Sequence, residues 1–542
     1  MKVGEYLIKA VQKTGTRHVF GIQGDYVLNF YDQLYKSPLK LINTCSEQGA
    51  GFAADAYARM TGFGAVCVTY GVGGLNLANT TAQAFAERSP VLIISGAPGM
   101  SERQHDALLH HKVKSFESQL NVFREMTVAQ AVLGKAETAP AEIDRVIRAI
   151  QATKKPGYIE LPRDMVMAET GEPPAGSSGE LPETDREAID EAVREIESML
   201  AASKRPMVMV GIEIHRFGLQ QDLLKFLEIS GFPFVTGILG KSVISEDHPQ
   251  FVGVYAGAMT PKDVRQAVEE SDCLIAVGPL VTDLSTGIFT QHIDPSKTIF
   301  SEPDGLKVKH HFYPSVGMKD FFDFMTPIMA KFKRAVPAAP NREIPPFVPV
   351  TGKAITVERF IACVNAFLSD ETVVIAEAGD SLCAALDLRV HGKSGFMSPA
   401  YYASLGFAVP AAVGVQCAAS GRRPLVIAGD GAFQMTGMEI TTAIRYGLNP
   451  IIVVLNNGGY GTFRHIIDGA FNDIQPWHYA EIPKMMGAGE GYTVTKENDL
   501  AAALAAAKKN GSTPTVIDVH IGRDDYSSRL RILSEKLGKR VK

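Results

Sequence analysis

Short apolar runs recur along the chain, each closed by turn-forming residues, with helix-like spacing of apolar positions between them. The first third carries Ala65 to Tyr70, Val91 to Ser95 and Tyr158 to Leu161. The middle carries Met207 to Val210, Phe234 to Thr236, Leu274 to Val277 and Thr298 to Phe300. The last carries Thr372 to Ala376, Pro424 to Ala428, Ile451 to Leu455 and Thr515 to Val519. Unbroken apolar runs rich in β-branched residues are the mark of parallel strands buried on both faces. Their alternation with helices predicts an α/β fold of three doubly wound, parallel-sheet domains. Two breaker-rich stretches without apolar periodicity, Thr170 to Asp185 and Ala335 to Val350, predict linkers. They divide the chain into 1–170, 186–335 and 351–542.

Two strand ends in the last third carry candidate chemistry. Gly429-Asp430-Gly431 closes one run, and 27 positions further along Asn457 closes the next, after Asn456. A helix-like stretch from Thr436 to Tyr446 lies between, so the unit is βαβ. Ligands bind outside the carboxyl ends of parallel strands. Asp430 offers a carboxylate there and Asn457 an amide oxygen. A small set of hard oxygen donors describes a Mg²⁺ site completed by phosphate oxygens and water. An ordinary Rossmann-like unit with turn glycines is the competing reading of this segment alone.

Composition narrows the class. The chain has 542 residues, 46% hydrophobic and 21% charged, with a net charge of −5. That balance, without a long basic run, predicts no nucleic-acid partner and no anionic membrane partner. No run approaches the ~20 apolar residues of a membrane span. An early charge and the lack of a signal-peptide core, with six scattered cysteines and no CxxC pair, predict buried free thiols and a cytoplasmic protein.

A second candidate stands in the first third. Cys45 to Arg59 reads as a helix packed with small residues, and Glu47 opens it. An early-turn glutamate is usually a surface charge facing the helix dipole. Here it follows the Leu41-Ile42-Asn43 run and precedes an alanine-rich helix, a setting that solvates a carboxyl poorly.

Together these segments resemble the thiamine diphosphate enzymes. GDG, a helix and NN form the diphosphate motif. EQGAGFAADAYAR, VTYGVGGLN at 68–76 and SPVLIISGAP at 89–98 resemble the pyrimidine-binding domain. Gly24-Asp25-Tyr26 and Leu108-Leu109-His110-His111 are similar to the pyruvate, indolepyruvate and phenylpyruvate decarboxylase branch. The resemblance spans all three thirds and implies pyrimidine-binding, central Rossmann-like and diphosphate-binding domains. It implies thiamine diphosphate and Mg²⁺ as cofactors and non-oxidative decarboxylation of a 2-oxo acid, through a carbanion at thiazolium C2 and an enamine. It also implies a cofactor shared between subunits, hence at least a homodimer, commonly a homotetramer.

The resemblance assigns roles residue by residue. Glu47 would bond the pyrimidine N1′ and share its proton. Asp25, His110 and His111 would bind the substrate carboxylate or move protons. Asp380 and Ser381 would lie near the diphosphate and pyrimidine. Ala403 would accept from the 4′-amino group, and Leu405 would prop the cofactor in its bent shape. Gly431 and Ala432 would donate to phosphate from the following helix N-terminus. Asp430, Asn457 and the Gly459 carbonyl would hold the metal. Leu284, Ala378, Leu382, Thr462, Phe463 and Ile466 would face the substrate.

The chain departs from the pattern at one place. Pyruvate-type relatives carry a glutamate six residues after the second Asn; here that position is Phe463. Phenylpyruvate and benzoylformate decarboxylases are similar in using an apolar residue there. The small Ala378 and Thr462 predict a roomy pocket, for a branched-chain or aryl-alkyl 2-oxo acid rather than pyruvate alone. The alternative expectation is a dedicated carboligase, faintly favoured by Tyr460 to Arg464 and disfavoured by Asp25 with His110-His111. A cofactor-binding protein without catalysis is disfavoured by Glu47, Asp430 and Asn457 together. The middle third lacks a GxGxxG run, which predicts a structural or regulatory part rather than a nucleotide site.

Overall fold

Nineteen strands build three sheets in the computed structural model, which describes residues 1–171, 185–336 and 344–541. Of the two expected linkers, 172–184 and 337–343 lie outside the described residues.

The first sheet contains β1 (His18–Gly21), β2 (Lys40–Asn43), β3 (Gly64–Val68), β4 (Val91–Ala97), β5 (Gln130–Val132) and β6 (Gly157–Pro162). Its order is β2-β1-β3-β4-β6-β5, parallel throughout. The central strands β3, β4 and β6 are buried at every position. Each must be covered on both faces, which explains their unbroken apolar sequence.

The middle sheet adds β7 (Pro206–Val210), β8 (Phe234–Thr236), β9 (Phe251–Val254), β10 (Cys273–Val277), β11 (Thr298–Glu302), β12 (Gly305–Val308) and β13 (His311–Tyr313). Its order is β13-β12-β11-β10-β7-β8-β9. Here the structure differs from the parallel expectation: β12 and β13 run antiparallel at one edge. Leu306 and Val308 turn inward and Lys307 outward, the alternation of a strand with one wet face.

The last sheet comprises β14 (Thr372–Ala376), β15 (Phe396–Met397), β16 (Arg423–Gly429), β17 (Ile451–Asn456), β18 (Glu490–Val494) and β19 (Thr515–His520). Its order is β15-β14-β16-β17-β19-β18, again parallel. β16 and β17 pair directly, with Gly429 opposite Leu455. Asp430 and Asn457 therefore leave the sheet side by side. The stretch between them is segmented into Asp430–Thr436, a 3-10 turn at Gly437–Glu439 and Ile440–Arg445.

One helix pair joins the first and last sheets. The helix Glu47–Thr61 starts at Ser46, whose side chain accepts from the Gly49 N–H at 3.0 Å, and stops at Gly62 in the left-handed region. It packs on the helix Ala408–Ala418. The two approach to backbone contact: a Cβ on Gly414 would stand 2.1 Å from the Ala53 carbonyl. Any larger residue at Gly414 would force the first and last parts of the chain apart.

Candidate active site

Two groups of predicted residues form, one in the first sheet and one in the last.

In the first, the loop after β1 meets the loop carrying the two histidines. The His110 Nε2 lies 2.8 Å from Asp25 Oδ2. His110 stacks on the fully buried Tyr26, with centroids 4.6 Å apart, and the Tyr26 hydroxyl donates to the His110 carbonyl at 3.2 Å. The His111 ring stands edge-on to His110 at 4.8 Å. One ligand-capable atom from each of Asp25, His110 and His111 falls within 4.8 Å of the others. Arg163, paired with Glu102, lies 3.7 Å from Asp25 and covers the Tyr26 ring. Burial pushes the Tyr26 phenol above its ordinary value, and the Asp25 charge adds to this.

Glu47 borders the same face. It is half-buried, and the Asn76 Nδ2 donates to its Oε2 at 3.0 Å. The turn Gly71-Val72-Gly73 backs both parts. A Cβ on Gly71 would lie 2.4 Å from the His111 carbonyl, and one on Gly73 would lie 3.5 Å from Glu47 Oε1. Just before Glu47, the Cys45 and Ser46 N–H groups donate to Glu439, each at 3.1 Å. Glu439 is a buried carboxylate from the last part of the chain. Burial raises its pKa, against hydrogen bonds from Thr442, Cys45 and Ser46.

The second group surrounds a cavity of about 310 Å³ between the middle and last sheets. Asp430 is 1% exposed. Its Oδ2 accepts from the N–H groups of Asn457 (3.2 Å), Gly458 (2.7 Å) and Gly459 (3.0 Å), and its Oδ1 from Gly431 (2.8 Å). Burial raises its pKa and these N–H groups oppose the rise. Arg464 ties the same turn from below, donating to the Asn457 and Gly458 carbonyls at 2.9 Å each. Gly459 has φ +145°, and a Cβ there would lie 2.0 Å from the Asn472 carbonyl. Only glycine fits.

Leu284, Ala378, Asp380, Ser381, Leu382, Ala403, Leu405, Gly431, Ala432, Thr462 and Phe463 join Asp430, Asn457 and Gly459 around this cavity. Ile466 is half-buried and stands outside the lining, while His465 is within it. The short helix Gly461–Arg464 continues in a turn, with the Ile466 N–H donating to Phe463, and this carries residue 465 round to the cavity. The His465 and Tyr526 rings meet there, and burial lowers the His465 pKa. Asp380 accepts from the Ser527 N–H, and burial pushes its pKa up to about 6.

The C-terminal helix Ser528–Val541 closes one side with Leu530, Leu533 and Leu537. Sequence reasoning missed this wall, although the 530/533/537 spacing is that of one helix face. It also missed Glu377 and Glu439, which carry no local pattern. Two roomier hollows, of about 520 and 460 Å³, contain none of the predicted residues.

No residue before Ile238 lines the Asp430 cavity. Asp25, Glu47, His110 and His111 are thus a separate half, not brought onto this cavity within one chain.

Comparison with known proteins accounts for both halves. The description "Thiamine pyrophosphate enzyme, N-terminal TPP binding domain" matches residues 1–121, the central domain of the same family 193–320, and its C-terminal TPP binding domain 377–519. An indole-3-pyruvate decarboxylase of Azospirillum brasilense is 34% identical over 98% of this chain and 97% of its own. An alpha-keto-acid decarboxylase of Mycobacterium leprae is 32% identical over 98% and 95%. Pyruvate decarboxylase 1 of Pisum sativum is 31% identical over 97% and 92%. The chain belongs to the thiamine pyrophosphate enzymes, in the branch of the 2-oxo acid decarboxylases.

Proposed function

We propose that this enzyme removes CO₂ from a branched-chain or aryl-alkyl 2-oxo acid, in preference to pyruvate alone, and releases the aldehyde. The observation that carries this reading is the Asp430 cavity, where an anchoring carboxylate and amide adjoin the small Ala378 and Thr462 and a phenylalanine at 463.

Bound thiamine diphosphate supplies the electron sink for breaking the bond to the carboxylate. The residues present fit the cofactor and its metal. Asp430 Oδ1 accepts one N–H and keeps a lone pair, and the Asn457 amide and Gly459 carbonyl add hard oxygens suited to Mg²⁺. At Gly431 a Cβ would lie 2.7 Å from the Tyr460 ring, so the position has no room for a side chain. Gly431 and Ala432 would donate to phosphate, with Asp380 and Ser381 beside the diphosphate and pyrimidine. Ala403 would accept from the 4′-amino group, and Leu405 would fix the bent shape.

The other half would come from a second copy. Its Glu47 would hold the proton at the pyrimidine N1′, and its Asp25, His110 and His111 would bind the substrate carboxylate or carry protons. A homodimer is then the smallest active unit, and a homotetramer pairs two of these. We assign the three domains to 1–170, 186–335 and 351–542. All six cysteines are free, in keeping with a cytoplasmic enzyme. No helix among the described residues is long and apolar enough to cross a membrane.

Leu284, Leu382, Thr462, Phe463 and, behind them, Ile466 would set the substrate. An apolar pocket separates substrates differing by one methylene by only ~1–3 kcal/mol, so several 2-oxo acids should turn over. A panel of these acids, assayed with thiamine diphosphate and Mg²⁺ for CO₂ and aldehyde, tests the reading. Pyruvate as the best substrate by a wide margin, or acyloin as the sole product without added aldehyde, would overturn it.

A further inference from the structure

Glu377 follows β14 at the floor of the site, and neither the sequence motifs nor the roles above use it. Its backbone N–H donates to the Ile427 carbonyl of β16 at 2.9 Å, which fixes its place in the sheet. Its side chain is 1% exposed. Oε1 accepts from the Ala378 N–H at 3.1 Å and Oε2 from the Ala408 N–H at 2.9 Å. The N–H groups of Gly406 and Phe407 also face it. Its partners are backbone groups, not cations.

A carboxylate buried without a cation is costly, and an apolar side chain of similar size would fold more cheaply. The bonds it makes show where it acts. They join two segments lining the cavity: 378–382, which leaves β14, and 403–405, which precedes the helix Ala408–Ala418.

The second segment is strained. Ala403 has φ +57° and Gly406 φ +89°, both left-handed, and alanine avoids that region. It is held at both ends. The Tyr401 and Tyr402 N–H groups donate to Glu87, at 2.8 and 3.0 Å. Glu87 is buried and paired with Arg59 at 2.9 Å. Thr436 Oγ1 donates to the Gly406 carbonyl at 2.6 Å, and Asn79 to Ser404 Oγ at 2.7 Å. Glu377 is the anchor at the far end and the only one that also holds Ala378.

We propose that Glu377 is a positioning residue, whose buried carboxylate keeps 378–381 and 403–408 in the shape that receives the cofactor. This rests on the functional reading above, in which those segments carry the cofactor contacts. The residue touches neither cofactor nor substrate; it acts through the backbone it holds.

Glu377→Gln preserves volume but turns an amide donor toward the N–H groups. In the full chain stripped of metal and cofactor, hydrogen exchange at 406–408 should speed up by about 10-fold or more. Amides of β16 should keep the wild-type rate. By calorimetric titration with thiamine diphosphate and Mg²⁺, affinity should fall by about 10-fold, the weight of one hydrogen bond to a charged group. Glu87→Gln should instead free 401–402 and spare 406–408. If Glu377→Gln does not fold, Glu377→Asp, which withdraws the carboxylate by one methylene, decides by the same two measures. Unchanged exchange together with unchanged affinity would overturn the proposal. A wild-type chain that does not bind thiamine diphosphate would overturn the functional reading instead, and the exchange rates would still decide the role of Glu377.

Discussion

The two halves of the site are built by opposite physics. Asp25, His110 and Glu47 bond side chain to side chain on an open face, with Asp25 and His110 exposed. Asp430 and Glu377 are each 1% exposed and bond almost wholly to backbone N–H groups. An exposed ion pair contributes little to stability. A buried carboxylate ringed by N–H groups is fixed before any ligand arrives. The last part of the chain is therefore a preformed cradle, whereas the first is a set of reactive groups on an open face, which in the reading proposed above a second copy would cover.

Substitution should separate the halves by kind of loss. Glu47→Gln should cut kcat by about 10²–10⁴-fold, the range of acid–base contributions, with cofactor affinity nearly unchanged. Asp430→Ala should weaken cofactor binding by about 10²-fold or more, because it removes the oxygen proposed to hold the metal and leaves three N–H groups at 457–459 unpaired. Titration calorimetry beside CO₂ release measures both. Equal losses of affinity in the two variants would erase the distinction.

Mixing these two variants probes the geometry itself. In a mixed dimer one site carries both defects and the other carries neither. With random pairing half the dimers are mixed, so about a quarter of wild-type activity should return. A mixture as inactive as its components would place Glu47 and Asp430 in the same site of one chain.

The sequence made the cradle legible because its parts are local. Strands buried on both faces announce themselves as runs such as Ile451 to Leu455, and Asp430 and Asn457 sit at the ends of two of them. The edge hairpin of the middle sheet was missed because Lys307, Lys309 and His311 dilute its apolar signal. Glu377 and Glu439 were missed for a different reason. Their importance lies in partners 31 and 394 positions away, Ala408 and Cys45, and no window holds both. Glu47 and Asp430 were expected in different domains, and in the structure no residue before Ile238 lines the Asp430 cavity.

Phe463 sharpens the comparison within the cradle. It is 52% exposed in the single chain, at the cavity rim where the second half would dock. An apolar ring there offers no proton, so under the proposed function protonation of the product would fall to the histidines of a second copy. Phe463→Glu should shift product from acyloin toward simple aldehyde by several-fold. Chromatography of products from one 2-oxo acid with added aldehyde measures the ratio. An unchanged ratio would mean that residue 463 does not face the reacting carbon.

The smallest effect concerns pH, and it comes from buried carboxyls of the cradle and of the middle part of the chain. Burial pushes Glu377 up to about 7, against the N–H groups of Ala408 and Ala378. It pushes Glu213 up to about 7, against the Arg88 charge, and Asp380 up to about 6, against its Ser527 bonds. Each folded pKa lies above the unfolded one. Well below 3.8, the ordinary value of an aspartate, these groups are protonated in both states, and their favourable contribution is complete. As pH rises toward 7 the unfolded chain sheds the protons first, so folding loses that contribution and then levels off. Burial holds His18 at about 4 and His215 at about 3, so these two work the other way over the same interval. The thermal midpoint of the cofactor-free chain should therefore fall by only about 2 °C between pH 5 and 7.5, and Glu377→Gln should flatten that slope. A slope in Glu377→Gln identical to that of the wild-type chain would mean that the backbone donors outweigh burial and keep Glu377 ionised. The cradle would then be held by charge from the start, and its contrast with the open half would rest on exposure alone.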